Sequence, residues 1–540
     1  MSICADGGGQ EGAAAAEPTV VSPNPTPRGA DGAAPSRLDA GADGAASSRF
    51  NRGDAGAASS SLNRSVDGTA PFRWNQRAHG ATPSQWSRDV EGAVPSIRIR
   101  TLLIALIALP RALSAQPVAA PLAAWVELTP TGPVVRAIAG DAGCPRAAAV
   151  AGPGAVPAAW ETPMTVRSEP DPPDFPHRVC EWQPLPSVRY VAIEGHSAVL
   201  RMLAADPRRI VVIGDTGCWG ADDQSCEREW PFADLSRMAA ARQPDLVIHL
   251  GDYNYRGTNC VAFDGCCGYN PVNCAFPNCG DTWPVWQADF FTPAAPLLAA
   301  APWVMVRGNH ELCARAGRGW FHYLDPHTPP PVCAPNPVLE PTYTEPFPLY
   351  LGNSLRLLVV DSASACGQPG FRDEVPLYRA QFERLATHVA GGTAEQTWLL
   401  THRPLWGIVE YTAARQLLVS YTLQRASANR LPEPIDLVLA GHEHLFQALT
   451  MAGDLPPALL VGTGGAELDD PQRVPERLAD IPLADGGPTI AASVTVHDHG
   501  YLLMERAGSR WTATFYDRFD QPRATCASDA RPSVCTARGP

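Results

Sequence analysis

Residues 302–313 read PWVMVRGNHELC, an apolar run that stops at a Gly-Asn-His-Glu cluster. The run is short and unbroken, which suits a central strand covered on both faces; a half-exposed strand would alternate. An amide, an imidazole and a carboxylate then stand side by side where the strand ends. Four other stretches share this design. RIVVIGDTG at 209–217 leads to Asp215, and PDLVIHLGDYNY at 244–255 to Asp252 and Tyr255. TWLLTHRP at 397–404 leads to His402, and IDLVLAGHEH at 435–444 to His442 and His444. Between the runs, PFADLSRMAAARQ and EVPLYRAQFERLATHVAG have the length and amphipathic pattern of helices. Alternating strands and helices predict an α/β layered domain. Ligands of such sheets bind beyond the carboxyl ends of the strands, so the five clusters are expected to converge on one rim.

Each cluster taken singly has an ordinary explanation. Gly-Asp after a strand is a common turn, and a lone histidine there is more often a hydrogen-bonded neutral side chain than a ligand. Five such clusters in matching strand contexts reverse that reading. The donors are aspartates, an asparagine, a tyrosine and histidines, with no cysteine at any strand end. Mixed oxygen and imidazole donors suit iron, zinc or manganese, not a thiolate site. They are too many for one catalytic ion, which takes about three protein ligands, and a two-metal centre with a bridging carboxylate would use them all. The glycines beside the donors keep the backbone close and free of Cβ clashes.

Composition removes other chemistries. None of the 540 residues is lysine, so all 42 basic side chains are arginine. That excludes a Schiff-base lysine, a pyridoxal anchor and a lysine-bearing phosphate loop. A formal charge of -13 gives no reason to expect a nucleic-acid partner.

The first part of the chain is different in kind. GAAPSR, GAASSR, GAASSS, GTAPFR, GATPSQ and GAVPSI start at residues 32, 44, 56, 68, 80 and 92, a period of 12. The repeats carry almost nothing large and apolar to bury, so residues 1–97 are expected to be disordered rather than a solenoid. Residues 98–115 follow with a basic start at Arg98 and Arg100, an apolar run from Leu102 to Leu109, and a small-residue exit. This is the pattern of a secretory signal peptide, too short to span a bilayer and ended by Pro110 and Arg111. It places the natural start near Val94, with the repeats outside the protein the cell makes. A periplasmic or secreted protein without a stable membrane anchor is the expectation.

Cysteine usage agrees with export. Of 15 cysteines only Cys4 precedes the signal, and the remaining even number reads as a disulfide framework. Cys144 and Cys180 are placed to staple an N-terminal module. Cys260, Cys266, Cys267, Cys274 and Cys279 crowd an insertion that lacks paired CxxC units and histidine, which favours disulfides there over a zinc cluster. Residues 116–204 read as a small β-rich module, 205–520 as the catalytic domain and 521–540 as a C-terminal tail.

The ordered series GDTG, GDYNY, GNHE, TH and GHEH resembles the calcineurin-like metallophosphoesterase superfamily over roughly residues 205–520. Asp215-Thr216-Gly217, where many relatives have Asp-x-His, and Tyr255 three residues after Asp252 resemble the purple acid phosphatase branch. VGTGG at 461–465 and HGYLLMER at 499–506 fit as well. The resemblance implies a layered β-sandwich flanked by helices. It implies a first metal held by Asp215, Tyr255 and His444, a bridging Asp252, and a second metal held by Asn309, His402 and His442. Ferric iron is implied for the first, and iron, zinc or manganese for the second. His310 would stabilise the transition state or protonate the leaving oxygen of a small phosphate ester, with Glu311 orienting it. Arg307, Arg403 and Arg256 are candidate phosphate contacts. One departure stands out: the branch has further histidines after the THRP-equivalent ligand, and HRPLWGIVEYTAAR has none after His402, which puts acid-range monoesterase activity in question. A phosphodiesterase is the alternative within the superfamily. A non-catalytic exported binding protein is the alternative outside it, and the complete donor set speaks against that. Oligomeric state is not legible.

Overall fold

The computed structural model describes residues 120–537, except 141–142, 161, 220–225, 227–228, 257–279, 336–341, 366–372, 391–393, 413–414, 419–420, 429–430, 433, 473, 475–477, 479–487 and 529–533. The repeats, the signal segment and the insertion with Cys260, Cys266, Cys267, Cys274 and Cys279 lie outside the described residues.

Two large sheets pack face to face. In the first, Arg209–Ile213, Leu246–His249 and Trp303–Met305 run parallel side by side. In the second, Leu355–Val359, Gln396–Leu400, Leu437–Ala440 and Ala458–Val461 do the same. Strict alternation between two covered faces explains why these short runs are apolar apart from Arg209, His249, Arg356, Gln396 and Thr397. Ile210 and Val212 point into the core between the sheets with Leu357, Trp398 and Leu439. Val211 and Ile213 point the other way, into a layer with Phe232 and Leu235 of the helix Phe232–Ala241 and Leu297 of the helix Thr292–Ala300. On the far side, Leu358, Leu399 and Val438 of the second sheet are covered by Phe382 and Leu385 of the helix Val375–Ala390. The order of layers is helix, sheet, sheet, helix. Each fully buried Val, Leu or Ile in it is worth roughly 1.5–3 kcal/mol, and a polar group on either face of these strands would find no water.

The segment expected as a small module is joined to the catalytic sheet. Ala123–Thr129, entirely buried, pairs in parallel with Trp303–Met305 and antiparallel with Gly132–Ala139, followed by Arg178–Trp182 and Thr165–Ser168. A second group of strands, Thr162–Pro163, Arg146–Val150, Tyr190–Ile193 and Leu200–Arg201, forms a four-stranded sheet of its own. Residues 521–540, expected as a tail, contain Pro522–Ser528 and Val534–Ala537, which extend the other edge of the first sheet. Both sets of strands lengthen one sheet to eleven strands. Their sequences read as separate because pairing with a remote strand leaves no local mark.

Four disulfides lie among the described residues: Cys144–Cys180, Cys218–Cys226, Cys313–Cys333 and Cys526–Cys535. The first is the pair expected from sequence. Among the described residues no helix is long and apolar enough to cross a membrane.

Candidate metal centre

Asp215, Asp252 and Asn309 follow the carboxyl ends of three adjacent strands of the first sheet, and His402 and His442 follow two adjacent strands of the second. The rim is therefore shared between two sheets. The backbone is bent to serve it. Asp215, Asp252 and His442 have φ of 56°, 60° and 76°, half of the six non-glycine residues with positive φ among those described. Such conformations cost on the order of 1–3 kcal/mol each and persist only where the surroundings hold them.

What holds them is the carboxylates themselves. Asp215 accepts from the backbone N–H of His442, at 3.0 and 3.2 Å from its two oxygens. Asp252 Oδ1 accepts from the backbone N–H of His310 at 2.8 Å. Loops from different strands are thus tied by the same side chains that face the centre. Gly308 is obligatory, because a Cβ there would run into the Asp252 carboxylate and its backbone nitrogen.

Around the Tyr255 hydroxyl lie Asp215 Oδ1 at 2.9 Å, Asp252 Oδ2 at 3.2 Å and His444 Nε2 at 2.8 Å. His444 Nδ1 lies 2.5 Å from the Glu467 carbonyl, which assigns its proton to Nδ1 and turns the Nε2 lone pair inward. One phenol proton cannot serve three acceptors. The second group repeats the pattern. His402 Nδ1 faces the Leu250 carbonyl at 2.8 Å, so its Nε2 lone pair meets Asn309 Oδ1 at 2.8 Å and Asp252 Oδ2 at 3.3 Å. His442 joins Asp252 and His402 with ligand atoms all within 4.8 Å of one another. Two clusters of lone pairs, short of protons and sharing Asp252, fit two cations.

The electrostatics agree. Burial disfavours a charged His444, yet hydrogen bonding and attraction from Asp215 raise it to about 9. Burial likewise opposes charge on His402, and Asp252 outweighs it. Burial would raise Asp252, but His402 above all outweighs it and holds its carboxyl well below the usual range. Each cluster thus draws positive charge to itself, which a metal supplies better than a proton. Tyr255 is pushed well above the ordinary phenol range by burial and then by Asp215 and Asp252; its ionisation requires a cation beside it.

All seven expected ligands are brought together. His310 lies against them, its ring 3.9 Å from that of Tyr255 and its Nε2 3.9 Å from Asp252 Oδ2. Glu311 departs from expectation. Its carboxylate does not orient His310 but accepts four backbone N–H groups, from Tyr253 at 2.8 Å, Asp252 at 3.0 Å, Gly308 at 3.1 Å and Asn254 at 3.2 Å. Arg307 and Arg256 are also committed elsewhere. Arg307, almost wholly buried, pairs with Asp361 at 3.0 Å and donates to the Glu311 and Thr342 carbonyls. Arg256 pairs with Asp289. Arg403 does reach the centre, where Nη1 lies 3.0 Å from His442 Nε2 and competes with a cation for that nitrogen.

Two neighbours escaped sequence reasoning. Arg315 Nη2 lies 2.7 and 2.9 Å from the two ring nitrogens of His310. Burial and then this guanidinium push His310 well below its ordinary range. Trp219 lies against Tyr255, His444 and His310, with ring centroids 5.4, 5.6 and 6.0 Å away. Neither residue sits at a strand end or in a periodic pattern, so no local signal marked them. A cavity of about 280 Å³ lined by Arg167, Phe175, Arg318 and His322 shares no residue with the centre.

Comparison with solved structures returns a purple acid phosphatase, PPD1, from seeds of yellow lupin (Lupinus luteus), at 15% identity and a TM-score of 0.47 over 75% of this chain and 73% of that one. It also returns PhoD, at 13% identity and a TM-score of 0.46 over 78% and 92%. GAP50, the anchor in the inner membrane complex of Plasmodium, aligns at 12% identity and a TM-score of 0.36 over 60% and 90%. No curated protein matches the sequence. Residues 208–446 match the family described as calcineurin-like phosphoesterase. That span opens just before the strand leading to Asp215 and closes just after His444, so it encloses the whole donor set. Residues 208–446 thus make up a calcineurin-like phosphoesterase domain, the part of the chain that carries a metal-dependent phosphoesterase.

Proposed function

We propose that the protein is an exported phosphohydrolase of the purple acid phosphatase type, acting on small phosphate monoesters. Asp215, Tyr255 and His444 would hold one metal, Asn309, His402 and His442 the other, with Asp252 shared. The observation that carries this is the position of Asp252 Oδ2, 3.2 Å from the Tyr255 hydroxyl and 3.3 Å from His402 Nε2, between two donor groups that are otherwise separate. A tyrosine among carboxylates suits ferric iron in the first position, and imidazoles with an amide suit iron, zinc or manganese in the second. When bound, the metals supply Lewis acidity toward the phosphoryl oxygens and lower the pKa of water.

The chain's own residues do the rest. Asp252 holds the His310 backbone, and Tyr255 and Arg315 hold its ring from two sides, so His310 is set to hydrogen-bond a phosphate or leaving-group oxygen. Two guanidiniums, Arg315 beside His310 and Arg403 beside His442, favour the more highly charged monoester over a diester. Export is supported by four disulfides, which persist in oxidising compartments.

The test compares a chromogenic monoester with a diester across pH, with metal content measured on the same protein. A monoester preference that falls by about 10³-fold or more in Asp252→Asn supports the proposal. Diester preference would move the reading to a phosphodiesterase. Hydrolysis that survives His402→Ala and His442→Ala would overturn the ligand assignment.

A further inference from the structure

The loop that follows Asp215 does more than deliver a ligand. Its next residues are held on every side: Trp230 Nε1 donates to the Thr216 carbonyl at 2.9 Å, and Thr216 Oγ1 lies 2.9 Å from His249 Nε2. A Cβ at Gly217 would meet the Tyr253 carbonyl and the Tyr255 ring, so this turn is pressed onto the segment bearing Asp252. Cys218 is then fixed by its disulfide to Cys226. The residue placed by this clamp is Trp219.

Its indole contacts a member of each functional group around the first metal position. It lies tilted against Tyr255 and His310, at 43° and 51°, and at 85° to His444. Tyr255, His310 and His444 are buried, whereas Trp219 is only partly so. The indole therefore covers the rings beneath it and keeps part of its own surface exposed beside them. A phosphate oxygen held by His310 brings the group esterified to that phosphate toward this surface. A flat apolar group gains there and a small hydrophilic one does not.

We infer that Trp219 is a specificity-determining residue, an aromatic wall that selects phosphate esters whose alcohol part is a planar ring, an aryl or heteroaryl group, over esters of small alkyl alcohols. This inference rests on the phosphohydrolase reading above. Stacking of one ring on another is worth about a 3- to 10-fold preference.

The test uses the metal-loaded full chain and two unreactive probes, phenylphosphonate and methylphosphonate, measured by calorimetry, with inorganic phosphate as reference. The expected result is tighter binding of phenylphosphonate by about 3- to 10-fold. That preference should be abolished in Trp219→Ala and largely restored in Trp219→Phe, with phosphate affinity and metal content unchanged in both. The kcat/KM ratio of phenyl phosphate to ethyl phosphate also carries the difference in leaving-group acidity, so the readout is its fall by about 3- to 10-fold from wild type to Trp219→Ala, mainly through KM. A wild-type protein with no phenyl preference, or a Trp219→Ala protein that keeps it, overturns the inference and leaves the phosphohydrolase reading standing if methylphosphonate and phosphate still bind. Loss of phosphate binding in both Trp219 variants would make the residue a support of the centre and overturn the inference too. Failure of the wild-type protein to bind any of the three ligands would bring down both readings together.

Discussion

Glu311→Gln separates two roles for the carboxylate beside His310. Oε1 accepts the N–H groups of Tyr253 and Asn254, and Oε2 those of Asp252 and Gly308. Glutamine keeps one acceptor oxygen and turns an NH₂ toward the other two N–H groups. Each buried N–H so deprived costs roughly 1–3 kcal/mol, which puts the loss at roughly 2–6 kcal/mol before any repulsion between facing donors. Against a total stability of about 5–15 kcal/mol, this is a large fraction. The loss falls on the segment 252–254 and on Gly308, so it should loosen Asp252, the shared ligand candidate. The expected outcome is a lower urea midpoint in chelator and reduced metal content at a fixed free-metal concentration. Activity should recover when excess metal is supplied. Elemental analysis and equilibrium unfolding measure both. A Glu311→Gln protein with wild-type midpoint and metal content, but a displaced pH-rate profile, would refute this reasoning and return Glu311 to an orienting role on His310.

Three further outcomes are expected. Gly308→Ala should lose metal and destabilise the fold by more than about 2 kcal/mol, read by the same two assays, since the new methyl meets the Asp252 carboxylate. Arg307→Met should lower stability by about 3–5 kcal/mol, because it strands buried Asp361, while KM for a phosphate monoester stays within a few-fold of wild type. His322 is held near pKa 4, chiefly by burial; its ring stacks on Phe175 and its Nε2 lies 2.9 Å from the His177 carbonyl. A base with a depressed folded pKa binds fewer protons folded than unfolded, so its contribution is whole above about pH 6.5 and is lost as pH falls toward 4, by up to about 3 kcal/mol. His322→Gln should flatten that fall in unfolding midpoints recorded with chelator.

The parts of this molecule that were legible in the sequence are those in which one strand carries its own message. The run Arg209–Ile213 has Val211 and Ile213 on one covered face and Ile210 and Val212 on the other, so unbroken apolarity implied cover on both sides before any partner was known. The donors sit two to six residues beyond such strands, and seven of them converge as the common rim required. What could not be read depends on remote partners. Nothing in Ala123–Thr129 announces that it will pair with Trp303–Met305, and nothing in Pro522–Ser528 announces a sheet edge. Glu311 was assigned to its chain neighbour His310, although its four hydrogen-bond donors include three from a loop nearly sixty positions earlier.

The double duty of the aspartates decides which substitutions can be interpreted. Asp252 Oδ1 ties down the His310 backbone, while Oδ2 faces Tyr255 and His402. Alanine removes both functions, so lost activity in Asp252→Ala would not distinguish a missing ligand from a displaced His310. Asparagine of the same shape can keep its carbonyl oxygen on the His310 N–H and lose only the charged donor at the centre. Asp215 offers no such division, since both of its oxygens meet the His442 N–H, at 3.2 and 3.0 Å. Its Asn variant should disturb the His442 loop as well as the first metal position. Metal loss confined to one ion per chain is therefore not expected from either aspartate variant: the first because Asp252 would be shared between the two proposed positions, the second because Asp215 carries the backbone that presents His442. Tyr255→Phe is different, because the Tyr255 hydroxyl meets Asp215, His444 and Asp252 but none of Asn309, His402 and His442. It should remove the colour expected of an iron phenolate and weaken one ion, leaving the site of Asn309, His402 and His442 able to bind.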